Sequence, residues 1–240
     1  MDYRHLTHIA FDADDTLWGH EHVFVDAKAR CLELLRPYLQ PGMDLEQELY
    51  RFEKKNLLIF GYGVKGFVLS MIETAIELSA GEVSGRELQK IIDLGKGMLA
   101  HPIKLLPHVD AAVAALADRF QLLLITKGDL FDQENKIARS GLADRFSAIE
   151  IVSEKTPAAY TAIMARHRIA PSGLLMIGNS LKSDILPVVE AGARAVHLPA
   201  KYTWMHEAIE TPPPASNRWT EGERLDLVVR EILSANEPIR

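Results

Sequence analysis

The sequence has a single cysteine, Cys31, among its 240 residues. One thiol cannot form an internal disulfide, which excludes a disulfide-stapled fold and predicts a reducing compartment. The sequence also lacks an apolar run of the roughly 18 residues that a membrane-spanning helix needs, and its first residues lack the pattern of a signal peptide. We therefore expect a cytoplasmic protein that does not act at a membrane.

A basic block is absent as well, and the net charge is −6. A broad positive face for a nucleic-acid polymer is not expected from this balance. Hydrophobic residues make up 48% of the chain and charged residues 25%, as is typical of globular proteins. The expected partner is a small molecule, and the sequence leaves open whether the protein is a monomer or a homodimer.

Five short apolar runs predict β-strands, and they cover residues 8–11, 121–126, 147–152, 174–178 and 193–198. Helical patterns lie between the last four runs, near residues 130–140, 157–168 and 183–191. Continuous apolar strands that alternate with helices indicate a parallel sheet covered on both faces. The predicted fold class is therefore α/β, with a doubly wound, Rossmann-like parallel sheet.

Residues 18–100 interrupt this alternation with helical patterns and no strand. We interpret the segment as an inserted α-helical cap domain, with residues 1–17 and 101–240 forming the α/β core. Within the insertion, Gly61, Gly63 and Gly66 break two helical patterns and predict a loop that carries Tyr62 and Lys65. These two residues are candidate substrate contacts, although an ordinary connection between helices explains the glycines equally well.

Asp12 and Asp14 follow directly after the first predicted strand. The side-chain period of two along a strand can aim both carboxylates the same way. Like charges that close repel one another, and a divalent cation would offset the repulsion. Oxygen ligands with few histidines nearby suit Mg²⁺.

The other strand ends carry polar groups of different kinds: a hydroxyl and backbone amides, an amine, and a further amide and carboxylate. They are Thr126 with Lys127 and Gly128, then Lys155, then Asn179 and Asp184. Reactive groups of such sheets lie beyond the carboxyl ends of the strands. Together the set predicts a site for a phosphoryl group, with carboxylate attack, donors for the phosphoryl oxygens and a bridging cation.

These motifs, in this order, resemble those of the haloacid dehalogenase superfamily. The first is D-x-D-x-T at residues 12–16, followed by Thr126, Lys155, and Gly178-Asn179-Ser180 with Asp184. The helical insertion after the first motif is similar to the cap that many small-molecule phosphatases of the superfamily carry. The resemblance covers residues 8 to 198, most of the chain.

The resemblance implies a role for each matching position. Asp12 would attack phosphorus to form an aspartyl-phosphate, and Asp14 would act as general acid and then general base. Thr126 and the amides at Lys127 and Gly128 would hold the phosphoryl oxygens, and Lys155 would stabilise both nucleophile and phosphate.

The resemblance also implies a Mg²⁺ site formed by Asp12, the backbone carbonyl of Asp14 and Asp184, with Asn179 beside the metal. Asn179 stands where an aspartate is common, so one negative charge is missing there and metal binding could be weaker. Asp15 stands where many relatives have glycine, and aspartate tolerates tight turns.

The predicted function is a Mg²⁺-dependent phosphatase for a small phosphomonoester such as a sugar phosphate or nucleotide. A dehalogenase is disfavoured by Asp14, since dehalogenases that resemble this family lack the second aspartate. A phosphomutase keeps both aspartates and stays open, as does a non-catalytic binding protein of the same fold. For single residues, simpler interpretations remain: a solvated lysine at Lys155, a first-turn carboxylate at Asp184 and a structural turn at Asn179.

Overall fold

The structure, a computed structural model, describes residues 1–202, 204–207, 209 and 216–236. Its strands are β1 (His8–Phe11), β2 (Gln121–Lys127), β3 (Ala148–Val152), β4 (Leu174–Gly178), β5 (Arg194–His197) and β6 (Trp219–Glu221). Its α-helices are α1 (Glu21–Leu35), α2 (Leu45–Phe60), α3 (Val64–Leu78), α4 (Gly85–Leu99), α5 (Val109–Ala117), α6 (Leu130–Ser140), α7 (Pro157–Arg166), α8 (Leu186–Glu190) and α9 (Leu225–Ala235).

The six strands form one parallel sheet in the order β3-β2-β1-β4-β5-β6. This confirms the predicted α/β class with a doubly wound parallel sheet. The sixth strand, β6, was not predicted, because its three residues are too few to show a periodic pattern. No helix of the described residues is long and apolar enough to cross a membrane.

The chain divides into two compact units. The first, here called the α/β unit, comprises Met1–Gly19, Ile103–Lys127 and Gln133–Arg240, and it contains the sheet. The second, here called the helical unit, comprises His20–Pro102 and the short segment Gly128–Asp132. That short segment had been expected within the α/β core.

The α/β unit buries both faces of its sheet. Ile9 and Phe11 of β1 belong to one apolar cluster, together with Leu122 and Leu175 of the neighbouring strands. Ala10 points the other way, into a second cluster. Because successive side chains of a strand alternate between faces, a run that is apolar throughout fits only a sheet covered on both sides.

The helical unit packs α1 to α4 around its own apolar cluster, which includes Cys31, Leu49, Met71 and Ile91. Two of these helices begin at a side-chain cap, α2 at Asp44 and α4 at Ser84. Asp44 accepts hydrogen bonds from two N–H groups of α2, and a reciprocal capping box of Ser84 and Glu87 begins α4.

The connection between α2 and α3 is shorter than predicted. Gly61 ends α2 and Gly63 precedes α3, with φ of 70° and 122°, which glycine adopts at low cost. Tyr62 lies between them, as expected, but Lys65 and Gly66 lie in the first turn of α3, so the prediction of a loop at these two positions was wrong. Gly66 lacks a Cβ and lowers helix stability by only about 1 kcal/mol relative to alanine, so one glycine does not end the helix.

Candidate active site

Asp12 is buried at the carboxyl end of β1, in the middle of the sheet. Its backbone N–H donates to the carbonyl of Ile177 at 2.9 Å, which continues the pairing of β1 with β4. On the other side Phe11 pairs with Leu124 of β2. The ends of these three strands therefore lie at one edge of the sheet, where ligands of such folds bind.

A buried lysine joins two carboxylates at this edge. Lys155 Nζ donates to Asp12 Oδ1 and, at 2.7 Å, to Asp184 Oδ1. The side chains of Lys155 and Asp184 are only 2% and 1% exposed. Charges this deeply buried are tolerated because each has an opposite charge in contact with it.

Burial raises the pKa of the Asp12 carboxyl to about 7, against the attraction of Lys155, and repulsion from Asp184 and Asp14 adds to the rise. Burial by itself would lower the pKa of Lys155, but the two adjacent carboxylates raise it above its usual value. Lys155 therefore keeps its positive charge, beside an Asp12 carboxyl that binds a proton more readily than an ordinary aspartate does.

Asp184 lies in a π-helical turn, Leu181–Ile185, directly after β4. The backbone N–H of Ser180 donates to Asp184 Oδ2 at 3.0 Å, so both oxygens of this carboxylate have donors. Gly178 makes room for it, because a Cβ at that position would lie 2.3 Å from Asp184 Oδ2. The glycine thus permits the close approach that brings Asp184 to Lys155.

The Asp14 carboxylate is 23% exposed and has three hydrogen-bond donors around it. Trp18 Nε1 donates to its Oδ1 at 2.8 Å. Gln133 Nε2, at 3.0 Å, and Lys136 Nζ, at 2.6 Å, both donate to its Oδ2. The next residue, Asp15, has a φ of 59°, a left-handed conformation that aspartate adopts more readily than most residues.

The residues around Asn179 fit a magnesium ion. Its side-chain amide faces three oxygens, the carbonyl of Asp14 at 3.3 Å, Asp12 Oδ2 at 3.2 Å and Thr16 Oγ1 at 3.3 Å. Turned one way, the amide nitrogen donates to all three. Turned the other way, its oxygen joins a group of oxygens whose mutual repulsion a cation would offset, and such ligands suit Mg²⁺.

The expected ligands Asp12, Asp14 and Asn179 thus come together, whereas the oxygens of Asp184 are bonded to Lys155 and to a backbone N–H. The oxygen set consists of one carboxylate, one side-chain amide and one carbonyl. Within the described part of the chain, no group of three or more His, Cys, Asp or Glu side chains could hold a metal.

The residues predicted to contact phosphate are the last two residues of β2, Thr126 and Lys127, and the following Gly128. Thr126 is 1% exposed, and Gly128 has a φ of 144°, which favours glycine. The ammonium of Lys127 donates to Ser183 Oγ at 2.8 Å and to Glu207 Oε1. Because the Lys127 ammonium already has these partners within the α/β unit, the backbone N–H groups of Lys127 and Gly128 are better candidates for binding phosphate than the ammonium is.

Glu207 is a half-buried carboxylate, 11% exposed in its side chain, and no motif of the sequence points to it. It accepts hydrogen bonds from Lys127, from Ser180 Oγ and, at 2.6 Å, from Ser183 Oγ. Burial would raise its pKa, but Lys127 and the two hydroxyls lower it below the usual value. Glu207 lies in a short 3₁₀ turn, Met205–Glu207, which has no periodic pattern to reveal it.

The two other candidate substrate contacts, Tyr62 and Lys65, lie in the helical unit. Lys65 Nζ forms an ion pair with Asp129 Oδ2 at 2.9 Å and lies 5.7 Å from the ring centroid of Phe131. The structure therefore gives Lys65 an acidic partner within its own unit.

Comparison with known proteins agrees with this fold. The family of haloacid dehalogenase-like hydrolases matches residues 6–192, and the chain belongs to this family of hydrolases. Among curated proteins, no match was found.

Solved structures of the family are also similar. A haloacid dehalogenase-like family hydrolase from Xanthomonas campestris is 38% identical, with a TM-score of 0.85, over 97% of this chain and 92% of that one. A 2-haloacid dehalogenase from Pseudomonas syringae is 22% identical, with a TM-score of 0.62, over 95% and 98% of the two chains. A predicted phosphoglycolate phosphatase from Haemophilus somnus is 19% identical, with a TM-score of 0.55, over 82% and 87%. The last two show a shared fold only.

Proposed function

We propose that this hydrolase is a Mg²⁺-dependent phosphatase for a small phosphomonoester, with Asp12 as its nucleophile. The observation that carries the proposal is the second carboxylate, Asp14, two residues after a buried Asp12 that is bonded to Lys155. The oxygen that leaves a phosphate ester needs a proton, whereas a halide leaving carbon does not. Asp14 therefore favours ester hydrolysis over dehalogenation.

In the proposed first step, a carboxylate oxygen of Asp12 attacks phosphorus, and the bond to the leaving oxygen breaks as Asp14 protonates that oxygen. In the second step, Asp14 takes a proton from a water whose oxygen attacks phosphorus. The aspartyl-phosphate bond then breaks, which releases inorganic phosphate and restores Asp12. Lys155, Thr126 and the N–H of Gly128 are the proposed partners of the phosphoryl oxygens.

Asp12, the carbonyl of Asp14 and Asn179 are the proposed ligands of Mg²⁺, with Asp184 as a fourth candidate. The ion would supply positive charge that offsets repulsion between Asp12 and the incoming phosphoryl group. Because Asn179 is neutral, we expect weaker Mg²⁺ binding than an all-carboxylate site would give.

The helical unit is the proposed source of substrate selection, as a cap domain, with Tyr62 and Lys65 as candidate contacts. If so, Tyr62→Phe and Lys65→Met should change the ratio of kcat/KM between substrates. The single cysteine supports a reducing, cytoplasmic setting for a metabolite phosphatase.

The test is phosphate release from a panel of sugar phosphates, nucleotides and aryl phosphates, with Mg²⁺ and with EDTA. Wild type should release phosphate only with Mg²⁺, and Asp12→Asn, which keeps the shape of the side chain, should release none. Halide release from 2-haloacids is the counter-assay. Halide without phosphate would replace the proposal by a dehalogenase, and transfer of the phosphoryl group to a second hydroxyl would replace it by a phosphomutase.

A further inference from the structure

The helix that follows β2 sends two polar side chains to the Asp14 carboxylate. Gln133 and Lys136 lie one turn apart on α6, so they share one face of the helix. Gln133 Nε2 lies 3.0 Å and Lys136 Nζ 2.6 Å from the same oxygen, Asp14 Oδ2. Trp18 Nε1 donates to the other oxygen at 2.8 Å, so the plane of the carboxylate is fixed from both sides.

Both side chains are buried, which is unusual for their types. Lys136 and Gln133 are each 3% exposed. Burying an ammonium is costly unless an opposite charge accompanies it, and the ion pair with Asp14 supplies that charge. The free-energy cost of burying Lys136 is therefore offset by the carboxylate that it contacts.

Gln133 links Asp14 to the sheet. Its Nε2 also donates to the carbonyl of Lys127, at 2.9 Å, which is the last residue of β2. Its Oε1 is buried with no hydrogen-bond partner, and such an atom costs free energy. The unpaired Oε1 of Gln133 is thus unfavourable for stability, while the two N–H groups of its Nε2 connect the end of β2 to Asp14.

We propose that Lys136 and Gln133 are positioning residues that hold the Asp14 carboxylate in the orientation needed for proton transfer to the leaving oxygen. This inference rests on the proposed phosphatase function. It adds two residues, Lys136 and Gln133, that have no role in that proposal. If it holds, losing either contact slows the release of leaving groups that need a proton, and has little effect on those that do not.

The test compares Lys136→Met with Arg139→Met, which removes a positive charge from an exposed position on the same helix. The readout is kcat/KM, which covers the steps up to phosphorylation of Asp12, for p-nitrophenyl phosphate and for phenyl phosphate. We expect Lys136→Met to lower the value for phenyl phosphate about 10- to 100-fold and to change that for p-nitrophenyl phosphate much less. Arg139→Met should change neither.

A double-mutant cycle separates positioning from general loss of structure. In an Asp14→Asn background, Lys136→Met should have no further effect on phenyl phosphate, because the group it positions is already gone. Equal loss for both substrates, or additive loss in the double mutant, would overturn the inference. Should Lys136→Met fail to fold, Gln133→Met and Lys136→Gln carry the same comparison.

An NMR measurement tests the same contacts without turnover. The chain has three tryptophans, so the indole N–H signal of Trp18 can be assigned with Trp18→Phe. Lys136→Met should shift this signal, because Asp14, its acceptor, loses an anchor, and Arg139→Met should leave it unchanged. A shifted signal in a protein that hydrolyses no phosphate ester would refute the proposed function alone, whereas an unshifted signal would refute the positioning.

Discussion

Replacing Asp12 by asparagine should make the metal-free protein more stable at neutral pH, although it removes the proposed nucleophile. Asp12 and Asp184 share the single ammonium of Lys155 in a buried place. Two negative charges and one positive charge leave a net negative charge away from water, which is unfavourable. Asparagine has nearly the same shape and no charge, so it leaves Lys155 paired with Asp184 alone.

The size of the effect follows from the pKa of Asp12, which burial raises from 3.8 to about 7. Between these two values the folded protein holds a proton that the unfolded chain has lost, so the free energy of unfolding falls as pH rises through this window. The difference of about 3 pKa units, at about 1.4 kcal/mol each, amounts to about 4 kcal/mol. The stability gain of Asp12→Asn should therefore be small near pH 4 and approach this value above pH 7.

Urea unfolding of wild type and Asp12→Asn, measured from pH 4 to pH 8 in EDTA, would test this expectation. Asp144→Asn is the matched control, since it makes the same change at an exposed carboxylate of the α/β unit, and it should stay within about 0.5 kcal/mol of wild type. A gain that does not grow with pH, or an Asp12→Asn protein less stable than wild type at pH 8, would refute the reasoning.

Three further substitutions have expected outcomes. Lys155→Met leaves the buried carboxylates of Asp12 and Asp184 without their cation and should cost about 3–5 kcal/mol in urea unfolding at pH 7; an unchanged midpoint would contradict it. Gly178→Ala places a Cβ 2.3 Å from Asp184 Oδ2, and should lower stability by about 1–3 kcal/mol and reduce phosphate release; wild-type values for both would show that Asp184 can move freely. Ser84→Ala removes the capping box of α4 and should cost about 1 kcal/mol in thermal unfolding, a loss that Ser84→Asp should largely avoid.

The sheet could be predicted because its strands are continuous apolar runs bounded by turn residues. Such runs locate β1 to β5 closely, and parallel pairing then brings the residues after Phe11, Lys127 and Gly178 to one edge. The side-chain contacts of Asp12 with Lys155 follow from that edge, not from any spacing along the chain.

The contacts of Asp14 were beyond sequence reasoning. Gln133 and Lys136 lie inside an amphipathic helix, where polar residues are expected to face water. Only their position relative to Ile137 hints at burial. Gln133 lies four residues before Ile137 and Lys136 directly before it, and Ile137 is a core residue, 4% exposed. The sequence does not predict the position of Glu207, because an irregular segment has no hydrophobic periodicity from which burial of a side chain can be predicted.

The central position of β1 has a consequence for how the chain folds. Phe11 pairs with Leu124 of β2 and with Ile177 of β4. Both strands follow the helical segment in sequence, so β1 can pair only after that segment has been synthesised. Pairing between residues this far apart in sequence is slow, whereas helices form from local contacts. During synthesis the His20–Pro102 stretch can gain structure while β1 still exposes its apolar side chains. The buried charges around Asp12 are then completed only by the late arrival of β4 and Asp184, so a chain stalled before that point carries an unfinished sheet.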